Sequence, residues 1–438
     1  MSHAALTALS PLDGRYARQT APLGAYFSEF ALIRYRVRIE VEYLLALLQA
    51  IGHPAATPDH AARLRALVTG FSVADAEAIK ATEATIRHDV KAVEYWLKER
   101  LAAIPGLAAE VELVHLGLTS EDVNNLAYAL MQRDGLRAVL LPALGTVLGG
   151  LMDMAASHRE TPMLARTHGQ PASPTTLGKE LAVFVDRLAT ELEGLLDGSW
   201  PGKLTGATGT FAALRMAYPE VDWLAFSRGF VAQLGLTPHL VTTQIEPRDG
   251  YARHYDGLKR LNNILLDLSQ DLWRYVSDGW LVQRVAAEEV GSSAMPHKVN
   301  PIDFENAEGN LGLANALWVH LGDKLTRSRL QRDLSDSTVL RNVGVAMGHS
   351  LLAYQSLARG LGRIAPDAAA MAAALEAHPE VLAEAIQTVL RAAGEPVPYE
   401  KLKALTRGRR VRLEELQAAA IELLPAQAEA WRQLSPDR

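Results

Sequence analysis

Leu258-Lys259-Arg260-Leu261-Asn262-Asn263-Ile264-Leu265-Leu266-Asp267-Leu268-Ser269-Gln270-Asp271-Leu272 decides the fold. Leu258, Leu261, Leu265, Leu268 and Leu272, followed by Tyr275 and Val276, recur at spacings of three and four. That repeat stacks side chains on one face of a helix. No proline falls between Pro247 and Pro296. The sequence therefore predicts one amphipathic helix far longer than the ~11 residues usual in globular proteins.

The same pattern extends outward. A second helix is expected from about Thr176 to Leu196, with Leu177, Leu181, Phe184, Leu188, Leu192 and Leu195 on one face. A third opens at Thr119-Ser120-Glu121-Asp122, a cap hydroxyl followed by acids in the first turn. It continues through Val123, Leu126, Ala127 and Leu130, and Pro142 is expected to bend or break it. A fourth follows Pro301 through Leu311, Ala314 and Leu317, and a fifth covers Val339 to about Leu361. Asp367 is placed to cap an alanine-rich helix after it. Strand-like alternation is scarce, with short candidates near Lys203-Leu204 and Leu240-Val241.

The expected class is all-α with a long central helical bundle. Soft boundaries near Pro105-Gly106 and Ile364-Ala365-Pro366 divide it into residues 1–108, 109–364 and 365–438. The outer two are helical domains and the middle one is the bundle. Apolar faces this long need several neighbours, so a bundle shared between subunits is expected.

The 438 residues are 49% hydrophobic and 21% charged, as in ordinary soluble proteins. A net charge of -6 gives no nucleic-acid footprint. With no cysteine, a disulfide scaffold, thiolate catalysis and cysteine-ligated zinc are excluded. The N-terminus lacks the basic and apolar regions of a signal peptide. No apolar run is expected to reach the ~20 residues that span a bilayer. A cytoplasmic protein without membrane partners is expected.

Between two helical stretches lies Gly291-Ser292-Ser293-Ala294-Met295-Pro296-His297-Lys298-Val299-Asn300-Pro301. Pro296 and Pro301 forbid a continuous helix, and an imidazole and an ammonium stand close to paired hydroxyls. The plain reading is a solvated linker; the functional one is a loop bearing chemistry. Arg87-His88-Asp89-Val90 opens a helix that Asp89 is placed to cap. His115 precedes Thr119-Ser120, either a simple N-cap or an anion site at a helix N-terminus. Arg166-Thr167-His168-Gly169-Gln170-Pro171 is a polar turn before a long helix. Arg327, Arg329, Arg332, Asp333, Asp336, Ser337 and Arg341 are either a salt-bridged connection or guanidinium forks for phosphate or carboxylate. Arg407-Gly408-Arg409-Arg410 reads as a solvated turn. Thr205-Gly206-Ala207-Thr208-Gly209 lacks the lysine of a phosphate loop. No pair among His88, His115, His168 and His297 has the helical spacing of a zinc motif, so no metal and no cofactor is expected.

Together these clusters resemble one family. Residues 291–301 are similar to the signature loop of the fumarase/aspartase superfamily, whose members cleave C–N or C–O bonds by elimination. Most of them release fumarate. Within it the chain resembles the bacterial-type adenylosuccinate lyases. The resemblance rests also on Ser10-Pro11-Leu12-Asp13-Gly14-Arg15-Tyr16, His88-Asp89-Val90-Lys91-Ala92-Val93-Glu94, Leu118-Thr119-Ser120-Glu121-Asp122-Val123-Asn124-Asn125, Arg166 to Pro171, Gln244-Ile245-Glu246-Pro247 and Arg332 to Asn342. It runs from about residue 6 to about residue 412, then fades, and the chain ends sooner than the resemblance leads one to expect.

The resemblance implies anti elimination of fumarate from adenylosuccinate, giving AMP, and from SAICAR, giving AICAR. It implies His168 as general acid and Ser292 as general base. Lys298, Asn300 and loop amides would stabilise the carbanion as its aci-carboxylate. His88, with Arg87 and Asp89 beside it, maps onto a second substrate-site histidine. Thr119 and Ser120 map onto a carboxylate site, and Gln244 onto the junction of base and succinyl group. Arg15, Tyr16, Arg332, Ser337 and Arg341 map onto the ribotide phosphate and its neighbourhood. The resemblance also implies a homotetramer whose sites are each built from three subunits. Argininosuccinate lyase, aspartase and fumarase chemistry, or an inactive helical scaffold, are the alternatives. The set Arg332, Ser337 and Arg341, with Arg15-Tyr16, favours the nucleotide substrate, and the presence of both His168 and Ser292 favours activity.

Overall fold

The structure is a computed structural model that describes residues 3–284, 294–295 and 297–437. The chain divides into two compact units. One comprises Met1–Leu144, Thr190–Asn263 and Gly309–Gln355; the other comprises Gly145–Ala189, Ile264–Glu308 and Ser356–Arg438.

The fold is all-α, and its long helices fall where the apolar repeats put them. The 29-residue helix Asp249–Ser277 buries Leu258, Leu261, Leu265, Leu268 and Leu272. It stops well short of Pro296, because Gly279 takes a left-handed φ of 75° and the chain turns into the strand Leu281–Gln283. Leu177–Leu196 buries Leu177, Leu181, Phe184, Leu188 and Leu195, leaving Leu192 half-buried. Ile302–Leu325 starts directly after Pro301 and buries Leu311 and Ala314.

Two helices differ from expectation. The chain from Thr119 is not broken at Pro142. Helix Ser120–Gly135 passes through a π turn, Leu136–Leu140, into helix Leu141–Ser157. The Leu141 N–H donates to Leu136 O, five residues back. This wider turn carries the carbonyls away from the proline ring, so the helix accommodates Pro142. By length and composition Ser120–Ser157 is apolar enough to cross a bilayer, contrary to expectation. Its N-terminal half buries Glu121, Asp122, Asn124, Asn125 and Gln132, while 22% of its most apolar stretch is buried within the chain. The helix expected from Val339 is two, Ser335–Leu340 and Val343–Arg363. At the break the Asn342 amide donates to Thr338 O at 3.0 Å, a side-chain bond that competes with helix continuation.

The main strand element went unrecognised in the sequence. Pro162–Thr167 pairs antiparallel with Gln170–Thr176, with Thr167 opposite Gln170. His168 (φ 54°) and Gly169 (φ 75°) form the two-residue turn, both left-handed as a type I′ hairpin requires. The small strands fall at Pro201–Gly202 and Thr237–Pro238, a few residues before the expected positions.

In the first unit a core forms around Ile33, Val37, Val41, Leu44, Ile79, Val93 and Leu97. In the second, Leu382, Ile386, Leu390, Leu402, Leu416 and Trp431 form the C-terminal core. Asp367 caps Ala368–Glu376 as expected, accepting from the Ala370 N–H at 2.9 Å.

Candidate active site

The first unit holds most of the candidate residues. Helix Glu29–Ala50 carries Arg36 on its buried face. Arg36 donates to Asn124 at 2.8 Å and to Asp89 at 2.6 Å. Asp89 sits at the start of Asp89–Ala102 but does not cap it. The cap is His88, whose Nδ1 accepts from the Lys91 N–H at 3.1 Å. Accepting at Nδ1 places the neutral ring's proton on Nε2. The Asp89 carboxylate is thereby free for Arg36, its own helix's Val90 N–H (2.8 Å) and Arg341 (3.4 Å). Burial alone would push the Asp89 carboxyl up; Arg36, the Val90 N–H and Arg341 outweigh it and hold it below the usual carboxylate range. Arg87, exposed before the cap, has φ 56°.

Arg341 also meets Glu29 at 2.7 Å. It lines a cavity of about 360 Å³ with Leu12, Asp13, Thr20, Ser28 and Gly344, a volume in the range of small-molecule sites. Asp13 and Ala17, on either side of the turn that holds Arg15 and Tyr16 in sequence, line the same cavity. There the Tyr16 N–H donates to Pro11 O at 2.8 Å and Arg15 lies 5.8 Å from the Tyr16 ring centre.

Thr119 is the N-cap of Ser120–Gly135, as expected. The Thr119 N–H is already engaged by Asp122 at 2.9 Å. The other Asp122 oxygen accepts from Thr205 N–H at 3.0 Å and pairs with Lys203 at 2.8 Å, both charges fully buried. The glycine-rich segment 205–209 is thus a brace for the helix start. Its Gly209 is obligatory, since a Cβ there would lie 2.0 Å from Thr242 O. Gln244 donates to Ala207 O at 3.1 Å in the same segment.

Behind this helix start lies a buried charge cluster. Glu121 pairs with Arg248 at 2.5 Å and Arg332 at 3.2 Å; Asp336 pairs with Arg248 at 2.8 Å and Arg332 at 3.5 Å. Arg332 therefore has one nitrogen anchored inward. Its Nε is buried with no acceptor among the described residues. Ser337 follows Asp336 on the same short helix, half-buried.

His115 was singled out without a role. Its backbone is left-handed (φ 60°) and Nδ1 meets the fully buried Glu40 at 2.5 Å. Burial pulls the imidazole down, but Glu40, with Glu94 and Asp122 further off, overrides this and raises its pKa.

Sequence reasoning missed Arg36, Lys203 and Arg248. Arg36 and Glu40 left a signal: two charges four apart on an otherwise apolar helix face. Arg248, with φ 65°, left none.

The second unit holds His168, Lys298 and Asn300. His168 is exposed at the hairpin tip, where Arg166 donates to Gly169 O at 3.3 Å. Arg166 also lies 3.7 Å from Asp278 and stacks at 5.5 Å over Trp280, anchoring the hairpin close to its turn. Lys298 is exposed, its N–H donating to Met295 O at 3.0 Å, and Asn300 is half-buried. Ser292 lies outside the described residues.

Comparison with known proteins gives a consistent answer. Residues 14–315 match the family described as Lyase and residues 328–437 the adenylosuccinate lyase C-terminal family. The match thus continues past residue 412, where the motifs fade. The chain is 49% identical over 434 residues to the adenylosuccinate lyase of Legionella pneumophila (strain Corby), covering 98% of this chain and 95% of that one. It is 49% identical over 417 residues to that of Escherichia coli (strain K12), 94% and 91% of the two chains. It is 48% identical over 413 residues to that of Dictyostelium discoideum, covering 92% and 88%. In fold it resembles a fumarate lyase from Mesorhizobium sp. BNC1, with a TM-score of 0.75 at 22% identity over 95% and 93% of the chains. The chain is a lyase with the all-α fumarase/aspartase fold, and it belongs to the adenylosuccinate lyase family.

Proposed function

We infer that this protein eliminates fumarate from adenylosuccinate, giving AMP, and from SAICAR, giving AICAR, in purine nucleotide biosynthesis. The observation that carries the reading is 49% identity to an adenylosuccinate lyase across 98% of the chain. The local geometry fits it. Arg341 borders a cavity of suitable size, and Arg332 keeps a buried donor without an acceptor among the described residues. Both guanidiniums suit a ribotide phosphate.

In this reading His168 protonates the departing nitrogen. A hairpin tip presents the imidazole, the side chain most often used for general acid–base proton transfer. Ser292 takes the proton from the carbon beside a carboxylate. A serine hydroxyl is a weak base unless its alkoxide is stabilised, which is the part for Lys298, Asn300 and the amides of residues 291–298. Thr119 and Ser120 hold a fumarate carboxylate, Gln244 the junction of base and succinyl group, and His88 orients the substrate through Nε2, flanked by Arg87 and Asp89. Arg15, Tyr16, Arg332, Ser337 and Arg341 serve the phosphate.

The working form is a cytoplasmic homotetramer with each site shared between subunits, built from domains 1–108, 109–364 and 365–438. Large apolar side chains left exposed on the long helices support the assembly: Met152 (53%), Trp273 (41%) and Leu313 (55%).

An ultraviolet assay of the purified protein with adenylosuccinate, argininosuccinate, aspartate and malate in parallel tests the substrate. Turnover confined to adenylosuccinate is expected. His168→Ala should abolish that turnover while the assembly persists in gel filtration; fumarate release at the parental rate removes His168 from its role. Ser292→Ala should bind substrate without turning it over, and normal kinetics would remove Ser292 likewise.

A further inference from the structure

We propose that Arg248 is a positioning residue for the phosphate site: by occupying Glu121 and Asp336 from behind, it keeps the outer edge of Arg332 open to an anion. The proposal rests on the reading of Arg332 as a phosphate ligand.

The geometry is a square of alternating charge in the first unit. Glu121 and Asp336 each touch both arginines, but not equally. The closer contacts, 2.5 and 2.8 Å, go to the two terminal nitrogens of Arg248. The longer ones, 3.2 and 3.5 Å, converge on a single terminal nitrogen of Arg332. Arg248 is fully buried, whereas Arg332 is slightly exposed. Nε of Arg332 is a buried donor lacking an acceptor among the described residues, as are Nε and one terminal nitrogen of Arg248, but only the Arg332 side chain reaches solvent.

An arginine facing two free carboxylates would close on them in two-pronged fashion. Arg248 opposes this by lying closer to both carboxylates, through a hydrogen bond to Glu121 at 2.5 Å and an ion pair with Asp336 at 2.8 Å. The four charges then sum to zero, and an arriving phosphate meets an open guanidinium edge rather than a net negative pocket. Take Arg248 away and the square carries a net negative charge. Arg332 is drawn inward, and the phosphate is repelled.

Arg248 is held ready for this by its backbone. It adopts φ 65°, and its N–H donates to the buried Glu246 at 2.6 Å. A non-glycine residue kept in that region is a constraint the surrounding structure must enforce. Burial pulls the guanidinium down, but Glu121 and Asp336 outweigh it and hold it above its ordinary range, so Arg248 stays charged. Burial likewise pushes the Glu121 carboxyl up, against the pull of Arg248 and Arg332.

The experiment uses the intact enzyme and two substrates, adenylosuccinate and the same succinyl nucleoside without its phosphate. Arg248→Met should raise KM for the phosphorylated substrate by about tenfold or more, the loss of one charge-assisted contact. It should leave kcat and the kinetics of the dephosphorylated substrate near parental. Arg248→Met combined with Glu121→Gln restores the charge balance and should recover most of the lost KM; it also serves if the single variant does not fold. Arg332→Ala is the control. If it leaves KM unchanged, the phosphate reading of Arg332 fails, and this proposal with it. If Arg332→Ala raises KM but the Arg248 variants do not, or if they impair both substrates equally, the positioning role alone is overturned.

Discussion

Asp89 carries three loads: Arg36, Arg341 and the first turn of its own helix. Its carboxyl lies below the usual range, so its contribution is complete above about pH 4 and is lost as pH falls through the lowered value. Asp89→Asn should therefore lower stability by about 1–3 kcal/mol at neutral pH. The gap to the parent should shrink in acid, as denaturant melts at pH 7 and pH 3 would show. The sequence reading chose the right dipeptide and reversed its parts. Asp89 outranks histidine as a cap by residue preference, but a buried arginine from a distant helix claims the carboxylate first. No local pattern reveals that claim. Arg36 and Glu40, charges inside an apolar face, were the visible sign that buried partners existed elsewhere.

Helices were legible and the hairpin was not. Repeats of three and four need only sequence, and five long helices lie close to where those repeats put them. Pro162–Thr167 and Gln170–Thr176 contain three prolines and little alternation, so they lack the usual signature of strands. The pair is set instead by its His168-Gly169 turn and by the helix beyond. Two glycines there separate local strain from packing. At Gly169 a Cβ meets nothing within 4 Å, so only its φ of 75° opposes a side chain. Gly169→Ala should cost about 1–2 kcal/mol and loosen the tip. Its fall in kcat should exceed its effect on the melting temperature. At Gly178 a Cβ would lie 2.4 Å from Ala155 O and 2.5 Å from Arg159 Cα, backbone atoms that cannot yield. Gly178→Ala should cost about 1–3 kcal/mol or more. Calorimetry should show the larger drop in melting temperature for this variant.

The exposed apolar side chains of the long helices belong to the assembly. Leu313→Glu places a charge where the proposed tetramer would bury it, so sedimentation should give a mass below four chains of 47.6 kDa, with fumarate release lost alongside. A variant that still sediments as a tetramer would exclude that face from the interface. At this scale the sequence said most through its motifs. It named His168 and Ser292 from resemblance, while the buried charge square escaped because its members lie up to 215 residues apart and meet only after folding.

The π turn at Leu136–Leu140 sets a phase. The wide turn takes in about one residue more than an ordinary one and still completes a single revolution, so the helix beyond it keeps its facing. Winding the same residues as plain α-helix would swing Leu144, Val147 and Leu151 by about 100° away from their buried positions. Deleting one residue there would let an ordinary turn form with those leucines and valine still facing inward, so this segment tolerates the loss of one residue far better than the gain of another. The awkward proline beside it marks the place where the count is kept.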